Sequence, residues 1–115
     1  MRKTRVGDNG DHNSEEQTRA APYEVRLIPA AEKDLDALPP RLLDALKDRH
    51  FPAIAATPRE AGRPKRGALA GLWGYDFGPR GGYRIVYEVF DAHRLVVIIA
   101  IGSHDQAYRK GGRRR

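Results

Sequence analysis

The sequence predicts an α+β domain of element order β-α-α-β-β-β, a mostly antiparallel sheet with an αα-hairpin on one face. Three observations carry that expectation. The stretch Gly82-Tyr83-Arg84-Ile85-Val86-Tyr87-Glu88-Val89 alternates large apolar residues with a mixed face, the period of a strand lying on a core. The runs on either side also read as strands, and turn-forming residues from Gly78 to Gly82 and from Asp91 to His93 separate them, so the three make a meander. Upstream, the apolar spacing switches to a helical period in two segments joined by Pro39-Pro40.

Taken in order, residues 1–21 are polar and aperiodic and are expected to be a disordered arm. The domain proper is assigned to 22–109. Tyr23 to Ile28 alternates and reads as the first strand. Pro29 opens a short helix with Ala31, Leu35 and Leu38 on one face and Asp34 and Asp36 on its solvent side. Pro40 suits the first turn of the second helix, which carries Leu42, Leu43, Leu46 and Ile54 inward; Pro52 predicts a kink or an end near His50. Thr57 to Ala70 reads as a cationic loop holding Arg59, Arg63, Lys65 and Arg66. In the second strand Trp73, Tyr75 and Phe77 share the core face, and Arg94 to Ile101 reads as a strand buried on both faces. Residues 110–115 are assigned to a basic tail.

At 115 residues the chain has room for one domain and one modest core. It has no cysteine, and its longest apolar run, Leu95 to Ile101, is too short to cross a bilayer. With no apolar leader at the N-terminus, a cytoplasmic location is expected. The net charge of +6 favours an acidic partner, nucleic acid above all, although the arginines at the C-terminus account for part of it. His12, His50, His93 and His104 are scattered without metal-ligand spacing, and neither a P-loop nor a Gly-x-Ser-x-Gly elbow occurs. No cofactor or metal is implied.

The remaining chemistry lies in Gly102-Ser103-His104-Asp105-Gln106-Ala107-Tyr108-Arg109 together with Arg84. Antiparallel pairing brings the end of the last strand beside the start of its neighbour, which places His104 near Tyr83 and Arg84. Such a set suits phosphodiester cleavage in RNA: arginine for charge on phosphorus, histidine for proton transfer, tyrosine for stacking. Each residue also has a plain reading. Arg84 can pair with Glu88, His104 can cap a turn with Asp105, Tyr108 can pack on the core, and Lys65 with Arg66 can be a solvated loop. The combination is what points to a site.

On these residues the chain resembles the RelE branch of the RelE/ParE toxin superfamily, from about Tyr23 to Arg109. The resemblance rests on Ala31-Glu32-Lys33-Asp34-Leu35, Leu38-Pro39, Pro58-Arg59 with Gly62, Lys65-Arg66-Gly67, Gly82 to Tyr87, and Ile101 to Asp105 with Tyr108-Arg109. It implies a microbial-ribonuclease-like fold and an mRNA interferase acting at the ribosome, held silent by a cognate RelB-like antitoxin. In it, the 2′-hydroxyl of the message attacks the adjacent phosphate. Arg84 falls on the phosphate-contacting arginine, His104 on the residue that assists the leaving group, and Tyr108 on the stacking tyrosine. Lys65, Arg66, Arg80 and Arg109 are the RNA-facing cations. Some members carry two lysines on the second strand where this chain has Gly74 and Asp76. Asp76 can serve instead as base toward the 2′-hydroxyl, and Lys65, Arg66 or Arg80 can supply the charge. The alternatives are a ParE-like toxin that binds DNA gyrase without catalysis, and a degenerate toxin that retains only antitoxin binding.

Overall fold

The computed structural model describes residues 22–114. The arm expected over 1–21, and Arg115, lie outside the described residues. Strand β1 (Glu24–Leu27) leads through Ile28 into helix α1 (Pro29–Asp34), where Pro29 takes the first helical position, whose N–H would have no partner in any case. A 3-10 turn, Leu35–Ala37, follows, and Pro39 turns the chain into α2 (Pro40–Ala45).

The second helical segment does not end at His50. A π turn over Leu46–His50 joins α2 to α3 (Phe51–Ala56), with the Phe51 N–H donating to the Leu46 carbonyl five residues back. Pro52 has no N–H and its ring crowds the preceding turn, and a widened turn directly before it accommodates both defects without breaking the helical path. A short α4 (Pro58–Ala61) and a two-residue β2 (Arg63–Pro64) complete the connection to the sheet.

The sheet has five strands in the order β1-β5-β4-β3-β2. The meander of β3 (Trp73–Phe77), β4 (Tyr83–Phe90) and β5 (Leu95–Ser103) is antiparallel, as the alternation predicts, while β1 lies parallel to β5 on the outside. Across β4 and β5 the register passes from Val86↔Ala100 to Tyr87↔Ile98, so Ile99 is an extra residue, a β-bulge.

Two cores result. On one face Ile85, Tyr87, Ile98, Ile101 and Phe77 pack with Ala31, Leu38, Leu46 and Ile54 from the helices. On the other face Leu72, Val86, Ile99 and Ala100 pack with Ala107 of a C-terminal helix, α5 (His104–Arg114). The bulge brings Ile99 and Ala100 together into this second cluster.

Helix α5 extends beyond the expected domain limit: residues 110–114, read from sequence as tail, are its last turns. Gly111 allows the helix to approach the sheet, since a Cβ there would lie 3.0 Å from Val86 Cγ1. Asp34, placed on the solvent side by periodicity, is buried and fastens this end. It accepts from the Ile101 N–H at 3.0 Å, Lys110 Nζ at 3.0 Å and Arg114 Nη1 at 2.7 Å. Burial pushes the Asp34 carboxyl up, but the bonds from Arg114, Ile101 and Lys110 outweigh it and hold the group below the usual carboxylate range.

Candidate active site

The site forms where the first residues of β4, the end of β5 and the first turns of α5 meet. Register pairs Tyr83 with Ser103 and Arg84 with Gly102, and the His104 N–H donates to the Gly82 carbonyl at 3.1 Å. The convergence expected from antiparallel pairing is therefore real. Gly102 leaves room for the helix that follows: a Cβ on it would meet Gln106 Oε1 at 3.4 Å.

Arg84 points to the α5 face of the sheet, and its side chain is only 8% exposed. It does not pair with Glu88 along its own strand. Its Nε donates to Asp76 Oδ1 at 2.5 Å from the neighbouring strand, where the two residues are register partners. Its guanidinium carbon stands 4.3 Å from the centroid of the Tyr108 ring, a cation–π contact that roofs the group. Arg84 Nη1 is buried and donates to nothing. A buried donor without a partner costs on the order of 1–3 kcal/mol.

Tyr108 is the hub. Its hydroxyl accepts from Lys65 Nζ at 2.7 Å, and the His104 ring meets it edge-on with centroids 5.0 Å apart. Residues 104 and 108 are one helical turn apart, so α5 presents both on one face. His104 itself is half-exposed, with Nδ1 3.6 Å from Asp105 Oδ1. Burial and the nearby Arg84 charge push the Lys65 ammonium down from the ordinary lysine value. The hydrogen bond from Arg84, then the charges of His104 and Lys65, keep Asp76 below the usual carboxylate range although partial burial opposes them.

Of the residues expected at the site, Arg84, Asp76, His104, Tyr108 and Lys65 come together. Arg66, Arg80 and Arg109 are exposed, Arg80 in the β3–β4 turn with a left-handed φ of 57°. What sequence reasoning did not foresee is the role of Gly74, which it noted only as a position without a lysine. Its α-carbon faces the same side as Arg84 and Lys65, and the signal was present in the sequence as a glycine interrupting a strongly alternating strand. Among the described residues no cluster of histidine, cysteine or carboxylate side chains is arranged to hold a metal ion. No described helix is long and apolar enough to cross a membrane.

Comparison with known proteins agrees with this architecture. A family model described as the ParE toxin of a type II toxin–antitoxin system, parDE, matches residues 25–108. The toxin RelG of Mycobacterium tuberculosis is 37% identical over 89 residues, 77% of this chain and 99% of that protein. The toxin RelE of the same organism is 35% identical over 88 residues, 76% of this chain and 88% of that protein. Among solved structures, the toxin–antitoxin complex RelBE2 from M. tuberculosis aligns with a TM-score of 0.66 at 36% identity, covering 73% of this chain and all of that one. A mutant of E. coli RelE in the free state aligns at 0.65 with 25% identity, covering 81% and 97%. The matched span contains both the sheet that fixes Arg84 and the helix that brings Tyr108 over it, and the chain belongs to the RelE/ParE superfamily of type II toxin–antitoxin toxins.

Proposed function

We propose that this toxin is an mRNA interferase, an endoribonuclease that cuts message on the ribosome by attack of the 2′-hydroxyl on the adjacent phosphate. The observation that carries the reading is Arg84: a rigid, buried guanidinium with an unsatisfied Nη1, roofed by a tyrosine that also touches a histidine. Preorganised donors of this kind act on charge that develops in the transition state. In this reading Arg84 binds the scissile phosphate, and Tyr108 turns its ring from the arginine to a base. His104 protonates the departing 5′-oxygen. Asp76 keeps Arg84 oriented through Oδ1 and takes the 2′-hydroxyl proton on its other oxygen. Arg66, Arg80 and Arg109 ring the site as backbone contacts. A RelB-like antitoxin silences the toxin, as the similarity to toxin–antitoxin complexes suggests.

The test is induced expression with mapping of message 5′ ends. Wild type is expected to produce new ends within translated frames, and Arg84→Ala to lose them while still binding ribosomes. Equal loss of cleavage and binding would assign Arg84 to docking. A second reading, a gyrase poison without catalysis, is favoured by the parDE description of the matching family model. It predicts inhibited DNA supercoiling and intact message, so the same cultures separate the two.

A further inference from the structure

Glycine is a poor choice for the middle of a strand, where it adds backbone entropy and no packing. Gly74 nevertheless sits in β3 between Trp73 and Tyr75, buried, opposite Val86. The reason is a neighbour. A Cβ at this position would lie 3.0 Å from Lys65 Cε, 3.4 Å from Lys65 Nζ and 3.3 Å from Arg84 Cδ. The missing side chain is replaced by the stem of Lys65, which crosses the strand from the segment just after β2. The Lys65 N–H fixes that segment by donating to the Leu72 carbonyl at 2.9 Å.

The lysine so delivered reaches the centre of the site. Its ammonium is 5.0 Å from the centroid of the same Tyr108 ring that covers Arg84, and it donates to that ring's hydroxyl. Two cations thus share one aromatic ring, with the half-exposed Asp76 as the carboxylate bonded to one of them. Like charges drawn together in a partly buried place repel unless an anion lies between them. The charge of Lys65 and Arg84 less that of Asp76 leaves one positive charge over, and Arg84 Nη1 is a donor without a partner.

We propose that Lys65 is a catalytic residue, the second cation on the scissile phosphate, delivered across Gly74 in place of a strand-borne side chain. The assignment rests on the ribonuclease reading above. As the O2′–P bond forms and the P–O5′ bond breaks, negative charge gathers on the non-bridging oxygens. Lys65 turns its N–H from the Tyr108 hydroxyl to one of them and Arg84 Nη1 serves another. The 2′-hydroxyl proton passes to Asp76 and the 5′-oxygen receives one from His104, so Lys65 keeps its own proton throughout. Burial beside Arg84 makes the ammonium a better donor to such an oxygen than a solvated lysine.

Single-turnover cleavage of message on programmed ribosomes, at saturating toxin, tests the assignment. Lys65→Met keeps the stem over Gly74 and removes the charge. It is expected to slow cleavage about 100- to 1,000-fold, with ribosome affinity changed only a few-fold and the thermal melt unchanged. Gly74→Ala pushes the stem aside and is expected to slow cleavage as well. The double variant Lys65→Ala/Gly74→Lys clears that stem, returns a cation to the same place from the strand and is expected to regain at least tenfold of the lost rate. Wild-type cleavage by Lys65→Met, or a loss confined to affinity, overturns the assignment and leaves the nuclease reading standing. A folded double variant no faster than Lys65→Met overturns it also. A wild-type protein that leaves message intact sinks the nuclease reading, and this assignment with it.

Discussion

In the proposed mechanism proton transfer falls to two side chains of contrasting surroundings, His104 and Asp76. His104 is half-exposed at the start of α5 and touches Tyr108 through its ring edge, so replacing it disturbs little packing. A positioned acid or base contributes on the order of a hundred- to ten-thousand-fold. His104→Gln keeps a hydrogen-bond donor but cannot transfer a proton at neutral pH. It is expected to lose activity in that range while its circular dichroism and antitoxin affinity stay at wild-type values; a fully active glutamine variant would make His104 positional. Asp76 is different, because its pairing with Arg84 lowers its pKa. A group lowered below its ordinary value of 3.8 stays ionised throughout the neutral and mildly acidic range. The rate of chemistry is accordingly expected to show no acid-side fall from Asp76 between pH 5 and 7. A rate that drops below pH 6 in wild type, and no longer drops in Asp76→Asn, would contradict the pairing. Most of the site's membership was legible in the sequence, because strand register alone places residue 84 beside residues 102–104. The partners were not. Arg84 pairs with Asp76, its register partner across the sheet, and Glu88 lies four residues away along the strand.

Among the elements, α5 decides whether the site exists. It brings His104 and Tyr108 to the sheet, and its far end is tied to Asp34 by Lys110 and Arg114, one helical turn apart. Removing one member of a buried charge cluster strands the others, at about 3–5 kcal/mol; both cations here keep about a quarter of their side-chain surface in water, so the lower end applies. Asp34→Asn is expected to cost about 3 kcal/mol in urea unfolding and to speed amide exchange across α5 more than across β4. The pH dependence has a definite sign. With its folded pKa below 3.8, Asp34 contributes stability that is complete above that value and is lost as pH falls through the folded pKa. Wild type should therefore lose stability between pH 4 and 2 by more than Asp34→Asn does. The half of α5 beyond Arg109 was not legible locally: Gly111-Gly112 followed by three arginines reads as a poor helix with self-repelling charge. Its stability comes from a carboxylate 76–80 residues upstream and from the close approach that Gly111 permits to Val86. The meander, by contrast, was written in short-range alternation and turn residues, and the helix over Pro52 survived because a π turn absorbed a defect that local rules treat as a break.

At the scale of the whole molecule, the net charge of +6 is arranged in two ways with different consequences. Lys110 and Arg114 are spent on Asp34 and serve the fold. Arg66, Arg80 and Arg109 are exposed, and under the proposed function they serve encounter with a polyanion. An inhibitor of such a surface gains most by covering it with acidic and apolar groups, so an antitoxin is expected to protect α5 and the β3–β4 turn from amide exchange; protection confined to α2 and α3 would argue against masking of the site. The two kinds of cation also separate binding from rate. Contacts to phosphates of a single strand release counterions, and the logarithm of affinity falls with the logarithm of salt by about 0.7 per contact. Arg109→Ala removes one exposed contact and leaves the fold unchanged. It is expected to weaken ribosome or RNA binding uniformly across sequences and to reduce the salt slope by about 0.7. Arg84→Ala, buried beneath Tyr108 and acting on charge that appears during reaction, is expected to leave the salt slope nearly as it was and to act on the rate. If the slope changes equally for both variants, Arg84 is one more docking cation and the molecule's chemistry must be sought elsewhere on this face.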